Sequence, residues 1–367
     1  MNPLRRLWDE HKQAVWLDFI ERDLVMGDGL ARLVAEDGVR GVTSNPSIFC
    51  AAITSSGAYD GQIDALLSKR PEITTDELYE ALAIEDIRRA ADVLRPVYDA
   101  SEGGDGFVSL EVSPHLAHDT GGTVAEARRL WRAVDRANLM IKVPATAPGI
   151  PAIEELIGAG INVNATLMVS LADYEAVAGA YLAGLARCAE PARVASVASF
   201  FVSRVDSKVD SRLEEIGTQD ALELRGTAAT ANAQLAYRRF GEVFSGEEFK
   251  ALAGRGARVQ RPLWASTSTK NPAYSDTKYV EEMIGQDTVN TLPMATLEAF
   301  RDHGRPRSAL IDGMAGADGM LDRLAAVGID HDTITRQLQV DGVAAFAESF
   351  ESLMAALSTA LRSRVTP

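Results

Sequence analysis

Two cysteines, Cys50 and Cys188, are all that the 367 residues contain, so no disulfide framework is legible. Histidine is nearly as scarce, at five residues, which leaves little material for a metal centre. Positive charge is also short: 37 basic against 52 acidic residues give a net charge of −15, and no run of lysine and arginine breaks the deficit. Such a surface repels nucleic acid and anionic lipid, so neither is expected as a partner. No uninterrupted apolar stretch reaches the roughly 20 residues of a membrane-spanning helix. Met1-Asn2-Pro3-Leu4-Arg5-Arg6 leads into charged residues without an apolar signal segment. A cytoplasmic protein is expected, and the sequon Asn164-Ala165-Thr166 then has no glycosylation to serve. Internal repeats and low-complexity tracts are missing too.

What is present is ordinary globular material, 46% hydrophobic and 24% charged. Short apolar, β-branched runs recur at 15–20, 41–44, 107–113, 139–144, 161–168, 194–202, 262–267 and 288–292. Segments of helical period separate them, near 23–37, 76–100, 123–137, 151–159, 171–187, 220–241, 276–285 and 294–303. Asp76 and Thr123 read as N-caps, and Thr123 with Glu126 fits a capping box. Gly38 and Gly160 stand where a helix hands over to the next strand.

Eight alternations predict an α/β fold, a parallel (β/α)8 TIM barrel filling 1–367 as one domain. The doubly wound sheet shares this rhythm, but its dinucleotide fingerprint is missing. Gly103-Gly104-Asp105-Gly106 precedes a strand, and Gly313, Gly316 and Gly319 follow none. From about residue 316 the rhythm breaks into a C-terminal helical extension, 318–326 and 332–363. Phe346, Phe350, Leu353, Leu357 and Leu361 make one apolar face there. Periodicity favours packing on the barrel's outside; the alternative is a helix folded over the mouth.

One residue interrupts its strand in an informative way. Lys142 lies among Leu139, Met140, Ile141 and Val143, an amine in an apolar run. Burial strips a lysine of hydration and disfavours the ammonium, lowering the pKa from its usual value of about 10.4. A neutral amine is the nucleophile of a Schiff-base enzyme. A lysine paired with a buried carboxylate, or snorkelling from a strand end, would look the same in isolation. Its company argues for a site. In a barrel enzyme the reacting groups lie at the carboxyl ends of the strands. Polar residues fall there in seven successive strands: Asp18, Asn45, Glu111, Lys142, Asn164 with Thr166, Ser199 with Arg204, and Ser266.

These residues sit in segments that resemble one family. Gly41-Val42-Thr43-Ser44-Asn45-Pro46-Ser47-Ile48-Phe49 is similar to the first transaldolase signature. Ile141-Lys142-Val143-Pro144-Ala145-Thr146, followed by Gly149, resembles that family's Schiff-base lysine signature. Leu110–Ser113, Gly160–Leu167, Ser199–Arg204 and Trp264–Thr267 follow in the family's order, so the resemblance covers about 15–300. It implies a class I aldolase-type barrel without a cofactor. Such an enzyme moves a dihydroxyacetone unit from sedoheptulose 7-phosphate or fructose 6-phosphate to glyceraldehyde 3-phosphate or erythrose 4-phosphate, in the pentose phosphate pathway.

The resemblance also implies roles. Lys142 would form the Schiff base, Asp18 would handle the C4 hydroxyl proton, and Glu111 with Thr166 would work through a water. Asn45 and Asn164 would hold the substrate and the bound enamine; Ser199 and Phe201 would line the site. Arg204 and Ser266 match phosphate ligands. The second arginine that often follows the serine is missing from Ser266-Thr267-Ser268-Thr269-Lys270-Asn271-Pro272, a run similar to a longer bacterial subgroup. Lys270 is the expected substitute cation, with Lys208 as competitor.

Three other readings compete. The nearest is a fructose 6-phosphate aldolase-type lyase releasing free dihydroxyacetone. Phe201 leans against it, because an aromatic without a hydroxyl offers no proton. A sugar-phosphate-binding barrel without catalysis has no use for Lys142, Asp18 and Glu111 together. A metal-dependent hydrolase would need more than His115 and His118, three residues apart, so no metal is expected. Trp8, Trp131 and the terminal helix are candidates for a homodimer face.

Overall fold

The computed structural model describes residues 2–365. Eight parallel strands close on themselves in sequence order: β1 Ala14–Leu17, β2 Val39–Val42, β3 Phe107–Glu111, β4 Leu139–Pro144, β5 Val163–Met168, β6 Ser196–Phe201, β7 Arg261–Ala265 and β8 Val289–Leu292. β8 pairs back onto β1, with Ala14 opposite Val289. The expected (β/α)8 barrel is therefore the fold, with helices around it and a helical C-terminus.

Most strands are buried along their whole length, because helices cover their outer face and side chains fill the lumen. At the amino-terminal end the filling is Trp16. Its ring lies so close to β2 that a Cβ at Gly41 would stand 2.5 Å from it, so only glycine fits there. The Trp16 indole donates to buried Asp105, which also meets Arg40 at 2.8 Å and Arg261 at 3.3 Å. This plug closes the bottom and leaves the opposite end free for chemistry.

Several local expectations need correction. Thr74, not Asp76, caps the helix Thr75–Ala100, because Glu77 reaches back to complete a capping box. Asp119, not Thr123, caps Thr120–Val134. Thr123 lies within that helix and donates to the Leu116 carbonyl, while Glu126 accepts from the Ser113 amide. The expected helix 220–241 is broken, into Gln219–Leu222 and Ala228–Ser245, and 276–285 shrinks to Lys278–Glu281. Helices at Pro3–His11, Pro46–Ser55, Asp60–Lys69 and Ser203–Ile216 lie outside the expected set. Gly38 and Gly160 do take left-handed backbone, at φ 73° and 80°.

The terminal helix, His331–Val365, does not confine itself to the barrel's outside. Gln339 donates to the carbonyls of Ala145 and Leu167, past β4 and within β5, at 3.1 and 3.2 Å. The Ser47 hydroxyl donates to Ser349 at 2.7 Å, and Arg364 pairs with Asp60 and Asp64. Between these ties Phe346, Phe350, Leu353 and Leu357 are buried. Periodicity identifies the apolar face of such a helix but not what it covers; here the strand ends supply carbonyls that only a mouth-crossing helix can reach.

Candidate active site

Each strand end delivers its side chain by a local device. β4 places Lys142 opposite Glu111 of β3 on one side and Asn164 of β5 on the other. Gly149 opens the helix after β4 so tightly that a Cβ would lie 1.9 Å from the Pro144 carbonyl. Asn45 caps the helix Pro46–Ser55 by accepting from the Ile48 amide at 2.9 Å, with Pro46 at its first position. In β5 the register to β6 slips between Ala165 and Met168, and Leu167 has φ 61°, uncommon for a residue with a side chain. Gln339 holds the Leu167 carbonyl at that irregularity.

The Lys142 amine lies 3.2 Å from Glu111 Oε2 and donates to the Ser44 carbonyl at 3.2 Å. Both side chains are nearly sealed from solvent. Neither Glu111 oxygen has a hydrogen-bond partner, so the contact with Lys142 is one of charge rather than an aligned bond. The buried Thr166 hydroxyl is also unpartnered. Such orphaned groups are costly in a core and mark a polar contact that something else completes.

Asp18 follows β1 by one residue, and its carboxylate accepts from Thr43 at 2.6 Å. Thr43 shares a further bond with Thr291 of β8 at 2.7 Å. Burial pushes the Asp18 carboxyl above its ordinary range, against the opposing pull of Lys142, Thr43 and Arg204. Burial raises Glu111 in the same way, with Lys142 opposing and Asp18 adding to the rise. Asn164 is fixed on both sides: Ser199 donates to its oxygen at 2.6 Å, and its nitrogen donates to Ser109 at 3.0 Å.

A cavity of about 180 Å³ gathers these groups. Lys142, Asp18, Asn45, Thr166, Ser199 and Phe201 line it together with Arg204, Ser266 and Lys270. Glu111 borders a smaller neighbouring cavity beside Tyr79 and Phe350, and Asn164 stands behind Ser199. A wider depression of about 580 Å³ lies among Tyr98, Trp131, Asn162 and Arg258, outside this set of convergent groups. Convergence of reactive groups, not size, identifies the site.

The cationic end is formed by Arg204, whose guanidinium stacks 5.1 Å from Phe201, and by exposed Lys270. Burial lowers the Arg204 pKa while Asp18 opposes the shift. Arg204 is the second residue of the helix Ser203–Ile216, whose amino end adds partial positive charge. Ser266, at φ 55°, shares a hydrogen bond with Ser203 at 3.2 Å. Lys208 lies outside the cavity and faces Asp341 at 4.0 Å. His115 packs edge-on against Phe350, with ring centroids 5.6 Å apart.

Thr43, Thr291, Ser268 and Pro293 line the cavity without a place among the expected site residues, and Phe346, expected only on the apolar face of the terminal helix, lines it too. Thr291 completes the pattern, since β8 was the strand without a polar contribution. Its position next to the last residue of the expected strand 288–292 is the available signal.

Comparison with known proteins bears directly on this arrangement. The family model for transaldolase and fructose-6-phosphate aldolase matches residues 15–357. The chain belongs to that family. Transaldolase 1 of Streptomyces coelicolor is 50% identical over 366 residues, 98% of this chain and 95% of its own. Transaldolase of Thiobacillus denitrificans is 51% identical over 94% of this chain and 96% of its own, and that of Mycolicibacterium smegmatis 47% over 93% of each. The chain is thus an enzyme of the transaldolase type. No helix among the described residues is long and apolar enough to cross a membrane.

Proposed function

We propose that this barrel transfers a dihydroxyacetone unit between sugar phosphates through a Schiff base on Lys142. The donor is sedoheptulose 7-phosphate or fructose 6-phosphate, and the acceptor glyceraldehyde 3-phosphate or erythrose 4-phosphate. One observation carries the reading: the Lys142 amine sits sealed at the barrel mouth, 3.2 Å from Glu111, sharing a cavity with Asp18.

Lys142 attacks the ketose C2 carbonyl to give a carbinolamine, which loses water to become an iminium. Glu111 and Thr166 hold the water that carries protons in this step; their unpartnered buried oxygens support that assignment. The iminium draws electrons from the C3–C4 bond as Asp18 takes the C4 hydroxyl proton. An aldose phosphate leaves and an enamine remains. Asn45 and Asn164 orient it until the acceptor aldehyde arrives and the steps reverse. Arg204, Ser266 and Lys270 hold the phosphate: a fork at Arg204, a point charge at Lys270. Against a net charge of −15, these cations supply the local attraction an anionic sugar needs. We place the reaction in the cytoplasm, on the composition described above.

The test is borohydride trapping with fructose 6-phosphate, with and without erythrose 4-phosphate, followed by peptide mapping. A three-carbon adduct on Lys142 that the acceptor depletes is expected. No adduct would overturn the mechanism, and an adduct insensitive to any acceptor would favour a lyase.

A further inference from the structure

A transferase that passes through an enamine has a competing fate built into its chemistry. If C3 of the enamine takes a proton from water, hydroxide remains. The resulting iminium takes up that hydroxide at C2; the carbinolamine then passes its hydroxyl proton to nitrogen and breaks its C–N bond, which frees dihydroxyacetone and restores the Lys142 amine, one water consumed in all. Transfer wins only if the enamine waits for an aldehyde in a place where water is scarce.

We propose that Phe346 of the terminal helix is the residue that shields the Lys142 enamine from water and so sets the balance between transfer and release. Phe346 is 5% exposed and lines the cavity that holds Lys142, Asp18 and Phe201. Its ring centroid lies 5.5 Å from the Lys142 amine, within reach of a cation held over an aromatic face. The cationic iminium therefore meets an apolar, weakly attractive wall rather than solvent. Among the described residues no tyrosine lines this cavity, so neither ring facing it, Phe201 or Phe346, carries a proton to give.

The helix is held in place on both sides of Phe346. Seven residues before it, Gln339 ties the helix to the Ala145 and Leu167 carbonyls, at the ends of the strands that carry Lys142 and Thr166. Three residues after it, Ser349 is tied to Ser47, and Phe350 packs edge-on against Tyr79 with centroids 5.4 Å apart. A Cβ at Gly342 would stand 2.9 Å from Leu167, so the helix backbone lies close on the irregular turn of β5.

This inference rests on the Schiff-base reading, and its test separates the two. Free dihydroxyacetone and transfer product are counted together, with fructose 6-phosphate as donor and erythrose 4-phosphate as acceptor, in Phe346→Ala and Phe346→Leu variants. Losing the wall is expected to raise release per transfer about ten-fold or more in Phe346→Ala, while Phe346→Leu, still apolar, stays within about three-fold of wild type. Gln339→Ala, which loosens the strap outside the cavity, shifts the ratio in the same direction and serves if Phe346→Ala does not fold. Borohydride trapping on Lys142 is run in parallel. Trapped adduct with an unchanged ratio in both alanine variants overturns the shield; absence of any Lys142 adduct in the wild type overturns the chemistry beneath it.

Discussion

Lys142 and Glu111 are direct partners in the ladder between β3 and β4, and their side chains meet at 3.2 Å without an aligned hydrogen bond. A parallel pair places neighbouring Cα atoms at a fixed spacing, so the separation of amine and carboxylate is set by the backbone and not by a flexible loop. The carboxylate is close enough to exchange protons with a group on the amine, yet its lone pairs are not consumed by it. Glu111→Gln keeps the shape and removes the carboxylate that the proposed mechanism uses as a base. Its kcat is expected to fall by about 10² to 10⁴, with dehydration of the carbinolamine slowed, as single-turnover trapping would show. A variant that traps adduct at the wild-type rate would assign Glu111 to structure.

Asp18 interacts with Lys142 from just past β1 and is pinned by Thr43, so a different step should fail when it is changed. With Asp18→Asn, the Schiff base forms but the C4 hydroxyl keeps its proton and the C3–C4 bond holds. Borohydride should then trap the whole six-carbon donor on Lys142 instead of a three-carbon fragment, with turnover reduced by about 10² or more. Mass spectrometry of the trapped peptide distinguishes the two. A three-carbon adduct would move the base elsewhere.

The two carboxyls also predict the acid limb of the pH profile. Burial holds both Asp18 and Glu111 above the ordinary carboxylate range, and the proposed mechanism uses both as bases. A raised pKa moves the onset of protonation upward, so kcat/KM should decline on acidification at higher pH than for a solvent-exposed carboxylate. The limb reports the coupled pair and not either residue alone. A rate constant flat down to pH of about 4 would contradict the environment described for them.

Much of this was readable beforehand. Lys142 announces itself because a cation inside Leu-Met-Ile-Lys-Val has no structural excuse until a partner is known, and strand ends can be counted from β-branched runs. The closing of the barrel follows from eight alternations together with the missing dinucleotide fingerprint, since alternation alone also fits an open sheet. What was not readable depends on chain reversals and on distance in sequence. The cap of Thr75–Ala100 is ambiguous in the sequence because Thr74 and Asp76 are both good caps, and only the Glu77 back-bond chooses between them. Pro46–Ser55 is not legible as a helix because its start lies inside the Thr43–Phe49 motif, whose residues point to chemistry. Phe346 shows an apolar face to any periodicity analysis, but that its neighbour is Lys142, 204 positions earlier, follows from the strap at Gln339.

Lys270 and Arg204 differ in setting, and their variants should differ in kind. Lys270 is exposed at the rim, where a point charge gives attraction in ground and transition states alike. Lys270→Ala is expected to raise KM for fructose 6-phosphate about ten-fold with kcat within about two-fold, and to flatten the dependence of KM on salt. Arg204 is partly buried against Phe201, so Arg204→Ala should raise KM further and lower kcat as the sugar loses its register. Initial rates across ionic strength separate the two. Equal effects on kcat from both would mean that Lys270 positions the substrate as well.

The helix that presents Arg204 rests on a buried carboxyl with its own pH signature. Asp206 is 1% exposed; it accepts from the Ala229 amide at 2.7 Å and the Tyr279 hydroxyl at 2.8 Å, tying Ser203–Ile216 to its neighbours. Burial pushes its pKa up to about 6, despite those two bonds and the nearby Lys278. In the unfolded chain an aspartate titrates near 3.9. Between these values the folded state keeps a proton that the unfolded chain gives up, so stability falls as pH rises through the window and is flat beyond it. The integrated loss is about 3 kcal/mol at most. Asp206→Asn cannot titrate, while every other group titrates alike in both proteins, so the difference between their urea midpoints isolates this residue. That difference should favour the wild type most at pH of about 4 and shrink toward about pH 7. A constant difference across the range would show that Asp206 is already ionised in the folded protein at low pH, its two hydrogen bonds outweighing burial.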